Sequence, residues 1–242
     1  MQPYKHNTEY FKDIDNSEKA YWLGFLYADG SIVRFYNKNN EVRTYSLELG
    51  LARKDENHIY KFKEAIESEA PVLERSTFLK KTNKEYKSSR MTIYNKDICL
   101  SLIEKGCVPD KASSIRFPNT DILPEEFQVD FIRGYFDGDG GVYYYEYPAP
   151  KDKPNRNPTK VFKSSFVGNK TMMLSIKSWL EQNNIKTGKL HSLKNSEEFS
   201  QFFIFGHKNL LNFYKTLKFE NRTSLDRKRK KFQKVFKHLN LQ

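Results

Sequence analysis

The segment YWLGFLYADGS at residues 21–31 is an apolar run that ends in an acid and two small residues. A second segment, FIRGYFDGDGG at residues 131–141, repeats this design 110 positions later. Each segment predicts a buried helix that carries a carboxylate, Asp29 or Asp139, in its last turn and a glycine directly after it. The first helix is predicted over residues 17–29, opened by Asn16 or Ser17 and closed by Gly30. The repetition indicates that the chain contains two related halves.

The elements that follow each segment repeat in the same order. After the first, alternating apolar and polar residues predict hairpins over 31–52 and 72–94, each followed by a helix. In the second half the predicted elements are a helix at 124–137, strands near 141–147 and 161–167, a helix at 170–182, strands near 186–193 and 199–205, and a helix from about residue 207. Each half is therefore predicted to be helix, two strands, helix, two strands, helix.

This repeat divides the chain into three parts. We predict an N-terminal half at residues 1–110, a linker at 111–123 and a C-terminal half at 124–242. Three prolines and many small polar residues in and beside the linker favour an irregular connection. The C-terminal half ends in SLDRKRKKFQKVFKHLN (224–240), which predicts a basic amphipathic helix.

The charge of the chain indicates a polyanionic partner. Lys and Arg number 42 against 30 Asp and Glu, a formal net charge of +12. Nucleic acid is the first candidate and an anionic membrane the second, while a merely basic protein surface is the alternative. No stretch approaches the roughly 20 apolar residues that span a bilayer, and no signal peptide is evident, so we expect an intracellular protein of the cytoplasm or an organelle matrix that is not secreted. Cys99 and Cys107 lack the spacing of a zinc site or a disulfide framework.

Small residues occur one helical turn apart in both repeated helices. They are Gly24 with Ala28 in the first and Gly134 with Gly138 in the second. Small side chains at this spacing allow two helix backbones to approach closely. If the two helices pack along these residues, their terminal acids meet at the same end of the pair.

Two carboxylates at close range repel each other unless a cation lies between them. A hard divalent ion such as Mg²⁺ takes oxygen ligands, and metals shared between acids promote in-line displacement at phosphorus. Together with the basic charge, the paired acids indicate phosphodiester hydrolysis. An Asp-Gly pair alone is often only a helix stop or turn signal, and a calcium loop at 137–141 is excluded because Gly141 and Pro148 occupy positions that need ligands.

The pair WLGFLYADGS and FIRGYFDGDGG resembles the signature of the LAGLIDADG homing endonucleases, in the single-chain form with two motif copies. LGLARKDENHIYKF, GCVPDKASSIRFP and SLDRKRKKF resemble the segments that follow the signatures in that family. The resemblance implies an α+β fold of two pseudo-symmetric αββαββα halves, each a four-stranded antiparallel sheet, with the motif helices packed at the interface. It also implies a monomer whose sheets form a saddle over the DNA major groove.

The function implied by the resemblance is a site-specific endonuclease, intron-encoded or free-standing, for double-stranded DNA with a long asymmetric target site. Such enzymes hydrolyse both strands across the minor groove, leave short 3′ overhangs and depend on Mg²⁺ or another divalent cation such as Mn²⁺. Neither a membrane nor an obligate protein partner is expected. The alternative is a non-cleaving relative, either an RNA maturase or a sequence-specific DNA-binding regulator, but the presence of both acids favours cleavage.

The resemblance also implies roles for residues at the ends of the repeated helices. Asp29 and Asp139 would be catalytic and would bind the metal ions, together with the main-chain carbonyls of Ala28 and Gly138. Basic residues would act near the scissile phosphates, and the matches for them are Lys111 and Lys228, with Arg227 as a neighbouring candidate.

One position departs from the family pattern. The earlier acid of the motif is Asp137 in the second copy but Tyr27 in the first. This difference leaves both catalytic positions intact.

DNA contacts are expected from basic side chains on the strands and hairpin tips. These candidates are Arg34, Lys38, Arg43, Arg75, Lys80, Lys81, Lys84, Arg90, Lys153, Arg156, Lys163, Lys189 and Lys194. The sequence does not decide which face of the strands at 31–37 and 161–167 is turned to the core, because apolar residues occupy both sets of alternating positions.

Overall fold

The computed structural model describes residues 4–81, 83–110, 114–149, 151–152, 157–194 and 196–241. In chain order its helices and strands are α1 Ser17–Asp29, β1 Gly30–Tyr36, β2 Val42–Ala52, α2 Glu56–Ala65, β3 Val72–Leu79, β4 Lys84–Ile93, α3 Lys96–Glu104, α4 Gln128–Asp139, β5 Gly140–Tyr147, β6 Thr159–Asn169, α5 Lys170–Gln182, β7 His191–Leu193, β8 Ser196–Phe205, α6 His207–Thr216 and α7 Asp226–His238. Short 3₁₀ turns precede α2 and α4.

The strands form two antiparallel sheets with the same topology. The strand order is β1-β2-β4-β3 in the first sheet and β5-β6-β8-β7 in the second. The predicted fold class, α+β with two αββαββα halves that each contain a four-stranded antiparallel sheet, is confirmed. The division into residues 1–110, 111–123 and 124–242 stays a prediction.

The first repeated helix begins and ends as its sequence predicts. The Asn16 side chain accepts hydrogen bonds of 3.0 Å from the N–H groups of Glu18 and Lys19, which satisfies two donors at the start of α1. The predicted bounds of the second helix, residues 124–137, are wrong, because the helix runs from Gln128 to Asp139. Residues Glu125–Phe127 form a 3₁₀ turn after the extended Pro124, so α4 begins at Gln128.

The strand predicted at 186–193 is also too long. His191–Leu193 is the segment that pairs with β8 as a strand, and before it Gly188 N donates to Phe203 O at 2.7 Å. Asn209 binds the start of the predicted strand, because its side chain accepts from Lys186 N at 3.0 Å and donates to Lys186 O at 2.7 Å. These bonds occupy the main chain of Lys186, which therefore does not add to the edge of the sheet.

The two repeated helices, α1 and α4, pack backbone to backbone. A Cβ on Gly24 would overlap the carbonyl oxygen of Phe131, and one on Gly134 would overlap the carbonyl oxygen of Tyr21 and lie 2.8 Å from Phe25 N. No side chain larger than hydrogen fits at either glycine without moving the helices apart. The close contact predicted from the small residues is therefore confirmed.

The sheets place their apolar sides on the helices. Leu47 and Leu49 of β2 are buried beside their β4 partners Ile93 and Met91. In the second sheet, Phe166 stacks on Phe202 with ring centroids 5.4 Å apart. The opposite, helix-distal faces are accordingly the open sides of both sheets.

Two further features of the fold are the lengths of the helices and the environment of the two cysteines. Among the described residues, no helix is long and apolar enough to cross a membrane. Cys99 and Cys107 are buried. The Cys107 thiol donates to Leu26 O at 3.7 Å, and burial raises the pKa of Cys99 to about 12.

Gly24→Ala tests the helix contact. Because the added methyl group meets main-chain atoms of the other helix, we expect the free energy of unfolding to fall by about 3 kcal/mol or more. Gly50→Ala is the matched control, since its Cβ would lie 3.6 Å from the Arg90 side chain, an ordinary contact. Equal unfolding midpoints of the two variants in denaturant titrations would contradict this packing.

Candidate active site

Both repeated helices lead directly into a strand. α1 ends at Asp29 and α4 at Asp139, and the next residue in each case, Gly30 or Gly140, begins a strand. The N–H of that glycine also closes the last turn of its helix. Each acid is therefore fixed between two regular elements instead of lying on a loop.

The structure brings the two acids to the same end of the helix pair. A Cβ on Gly138 would overlap the Ala28 side chain and lie 3.4 Å from Asp29 Oδ2. The carboxylate of Asp29 thus reaches the last turn of α4, beside Asp139. Charges of both acids also act on one ammonium group, that of Lys228.

Lys228 in the first turn of α7 binds the carbonyl end of α4. Its Nζ donates to the carbonyls of Phe136 at 2.7 Å, Asp137 at 2.6 Å and Gly138 at 3.1 Å. The residue is only 4% exposed. Burial lowers the pKa of Lys228 to about 8, against the attraction of the nearby acids. A cation here offsets the unfavourable placement of a carboxylate at a helix C-terminus.

The position of Lys228 was not predictable from its sequence, which suggested only a basic residue near the substrate. Its bonds to three carbonyls give it a structural role in the site, and contact with a phosphate stays a prediction.

Lys111, the corresponding candidate in the first half, lies outside the described residues. The neighbouring candidate Arg227 forms a two-pronged ion pair with Asp55, with Nε 2.9 and 3.0 Å from the two carboxylate oxygens. That pair joins α7 to the N-terminal half.

Asp137 anchors a buried polar network between the halves. Its Oδ2 accepts from Tyr21 Oη at 2.8 Å and from Leu225 N at 2.7 Å. The same Tyr21 hydroxyl lies 2.8 Å from His58 Nε2. Nothing in the sequence indicated this network, apart from the presence of Tyr27 where the family motif has an acid. The Tyr27 hydroxyl lies outside the network and donates to Lys105 O at 2.5 Å.

The hydrogen bonds assign the state of His58. Because Tyr21 donates its only proton to Asp137, it must accept from His58, which places the imidazole proton on Nε2. His58 Nδ1 has no hydrogen-bond partner within the described part of the chain. Burial, followed by the charge of Lys61, lowers the pKa of His58 to about 3. His58 is therefore neutral at physiological pH.

The described residues contain no cluster of three or more His, Cys, Asp and Glu side chains that could hold a metal ion. The available donors are instead the carboxylates of Asp29 and Asp139 with the carbonyls of Ala28 and Gly138. Mg²⁺ is typically bound by one or two carboxylates plus water and substrate phosphate oxygens, whereas an all-protein cage suits other metals. This oxygen-only donor set therefore fits a hard divalent cation that completes its coordination with a phosphate.

The strand register sorts the predicted DNA contacts by face. Candidates whose strand positions alternate with the buried core residues, and so belong to the helix-distal faces, are Arg75, Lys84, Arg90 and Lys163. Arg34 and Arg43 instead have the parity of the core-facing residues, and Arg34 pairs with Asp110 at 3.5 Å. Exposed candidates in turns or irregular segments are Lys38, Lys80, Lys81, Lys189 and Lys194. Lys153 and Arg156 lie outside the described residues.

The register also identifies residues that the sequence did not single out for DNA contact. Tyr143, Tyr145 and Tyr147 occupy the helix-distal face of β5, with ring centroids 6.3 Å apart along the strand. The alternation of these tyrosines within VYYYEY could have indicated that they share one face. The sequence did not show which face it was, because apolar residues also occupy the other face of the strand.

We expect His58 to make stability depend on pH. An unfolded histidine has a pKa of about 6.5, so the unfolded chain takes up this proton before the folded protein does. The free energy of unfolding is then fully retained above pH 6.5 and falls as the pH is lowered towards 3, by up to about 1.4 kcal/mol per unit. Denaturant titrations of His58→Phe should show a flatter acid limb. The exposed His191→Gln is the control, and an unchanged limb in His58→Phe would contradict the assignment.

Lys228→Met removes the cation at the end of α4 while retaining much of the side-chain volume. We expect the free energy of unfolding to fall by about 3 kcal/mol or more, because Asp137 and three carbonyls lose their charged partner. Lys230→Met, on the exposed side of the same helix, should stay within about 0.5 kcal/mol of the original protein. Similar denaturation midpoints for both variants would show that the buried contacts contribute little.

No protein-family model and no curated protein sequence matches the chain. Solved structures do match over nearly its full length. The I-LtrWI LAGLIDADG homing endonuclease bound to target DNA covers 97% of this chain and 92% of its own, with 14% identity and a TM-score of 0.60. The LAGLIDADG meganuclease I-AabMI bound to uncleaved DNA covers 91% and 90%, with 11% identity and a TM-score of 0.59. The LAGLIDADG homing endonuclease I-GzeII in complex with its DNA target covers 91% and 90%, with 12% identity and a TM-score of 0.58. The chain therefore has the fold of the LAGLIDADG homing endonucleases, with both halves of that fold in one polypeptide.

Proposed function

We propose that this protein is a site-specific, divalent-metal-dependent endonuclease that cuts both strands of double-stranded DNA. The observation that carries the proposal is the convergence of Asp29 and Asp139, one from each half, at the same end of a helix pair whose backbones are in contact. Solved structures with this fold are described as homing endonucleases bound to DNA. A binding protein without nuclease activity has no need of two acids held at this position.

Mg²⁺ or Mn²⁺ would be held by the carboxylates of Asp29 and Asp139 and the carbonyls of Ala28 and Gly138. When bound, such an ion supplies an activated water and stabilises the leaving oxygen of a phosphodiester. The chain itself fixes the two acids between helix and strand, so that they need no rearrangement when DNA binds. Lys228 holds the last turn of α4 in place beneath Asp139 through its three carbonyl contacts.

The two halves would serve one DNA strand each. The sheets flank the helix pair, so both can occupy the major groove while the acids face the minor groove between the two half-sites. Cutting across that groove would leave short 3′ overhangs. Because one polypeptide supplies both halves, we propose that the protein acts as a monomer on a long asymmetric site. An intron-encoded origin follows only from the family resemblance.

The charge distribution supports a DNA partner. Beyond the net charge of +12, α7 presents basic side chains beside β5. A groove of about 640 Å³ between them is lined by Tyr144 and by the basic residues Arg227, Lys230, Lys231 and Lys234. Several ammonium groups along one groove suit the regularly spaced phosphates of a nucleic acid.

The test is a selection for cleaved sites from a randomised plasmid library with Mg²⁺. The original protein should cut a defined site on both strands. Asp29→Asn and Asp139→Asn should each lower the cleavage rate by at least about 100-fold, because each removes one charged oxygen donor of the site, and both should still bind that site. The exposed Asp13→Asn is the control and should cut normally.

A protein that binds a specific site but cuts nothing would favour the DNA-binding regulator. Stimulation of intron splicing without DNA cleavage would favour the RNA maturase. Either result would overturn the endonuclease proposal.

A further inference from the structure

The helix-distal face of the second sheet carries a row of aromatic side chains. Along β5, Val142 is buried against the core, whereas Tyr143, Tyr145 and Tyr147 have the opposite parity. The Tyr143 and Tyr145 rings are nearly parallel, at 16°. Tyr145 is 43% and Tyr147 53% exposed.

The row continues across the neighbouring strands. Tyr143 pairs with Lys163 of β6, which pairs in turn with Phe205 of β8. Phe205 is 50% exposed, and its ring centroid lies 5.7 Å from that of Phe203 on the same face. We call Tyr143, Tyr145, Tyr147, Phe203 and Phe205 the aromatic strip.

Cations lie among these rings. Lys163 Nζ is 4.3 Å from the Phe203 centroid and 5.8 Å from that of Tyr143. Lys231 Nζ reaches within 6.0 Å of the same Tyr143 ring. Ammonium groups over aromatic faces keep positive charge beside the apolar surface. This combination suits a polyanion that also offers apolar groups.

Duplex DNA offers few apolar groups to a sheet in its major groove. Base faces are stacked and inaccessible, and the base edges there present hydrogen-bond donors, acceptors and a single apolar group, the 5-methyl of thymine. Aromatic side chains on a groove-facing sheet therefore gain little from guanine, cytosine or adenine edges. They gain from covering methyl groups, as Phe does at thymine contacts.

The first sheet differs at the middle of its corresponding face. Arg90 of β4 donates to Glu48 of β2 at 2.9 Å, and Thr92 pairs with the same Glu48 across the strands. Arg75 lies on the edge strand β3, on the same face as exposed apolar side chains such as that of Leu73. Such polar side chains read base edges through hydrogen bonds.

We propose that the aromatic strip recognises thymine 5-methyl groups, so that the half-site bound by the C-terminal sheet is thymine-rich and depends on those methyl groups. The half-site bound by the N-terminal sheet is read mainly by hydrogen bonds. The inference rests on the proposed function, because it requires the helix-distal faces to lie in the major groove. It adds the base composition and the chemical group that is recognised.

The experiment replaces thymine with deoxyuracil, which lacks only the 5-methyl group, in one half-site at a time. The duplex is the site recovered from the cleavage selection, and affinity is measured without divalent metal. Uracil in the C-terminal half-site should weaken binding about fourfold per methyl group contacted. The same replacement in the N-terminal half-site should weaken binding less, because Arg90, Glu48 and Thr92 make the middle of that face polar.

Variants assign the effect to the strip. Tyr145→Ser should reduce the preference for thymine over uracil in the C-terminal half-site, while Tyr145→Phe should retain it. Tyr86→Ser is the matched control, because Tyr86 is a similarly exposed tyrosine on the helix-distal face of the first sheet. It should leave the C-terminal preference unchanged.

The outcomes separate the two proposals. Specific binding with equal tolerance of uracil in both half-sites, or a selected C-terminal half-site without thymine, would overturn the methyl recognition and leave the endonuclease proposal standing. Failure to bind or cut any DNA in the selection would overturn both.

Discussion

The rest of the structure depends on one steric constraint, the backbone contact between α1 and α4. Gly24 faces the carbonyl of Phe131 and Gly134 faces that of Tyr21, so each helix uses a missing side chain to admit the main chain of the other. The contact sets the separation of the two halves. It also determines where the helices end relative to each other, and so brings Asp29 to Gly138 and the last turn of α4.

That arrangement is electrostatically unfavourable before any ligand binds. Two carboxylates lie at the negative ends of two helix dipoles, where the same charge near the first turn would be favourable. The Lys228 ammonium group offsets this negative charge, because it binds the last carbonyls of α4. The network of His58, Tyr21 and Asp137 then secures this end of the helix from the other half. The two halves are thus similar in topology and different in how they stabilise their ends of the site.

The sequence predicts the parts of this structure that local rules control. The cap at Asn16, the alternation in β2 and the small residues at Gly24 and Gly134 each act over a few positions, and all appear as expected. Contacts between distant residues could not be predicted in this way. Asn209 binds the main chain of Lys186 ahead of an edge strand, and Lys228 bonds to carbonyls about 90 positions earlier in the chain. The exposed face of β5 could not be predicted either, because its side chains are aromatic like those of a buried face.

The central claim is that both acids belong to one metal site at the base of the helix pair. Diffraction from crystals of the protein with its selected DNA and Mn²⁺, recorded at a wavelength where Mn²⁺ scatters anomalously, tests it directly. We expect anomalous peaks within about 2.1 Å of carboxylate oxygens of Asp29 and Asp139 and of a DNA phosphate oxygen. Peaks confined to other carboxylates, or ordered DNA with no peak at either acid, would contradict the account.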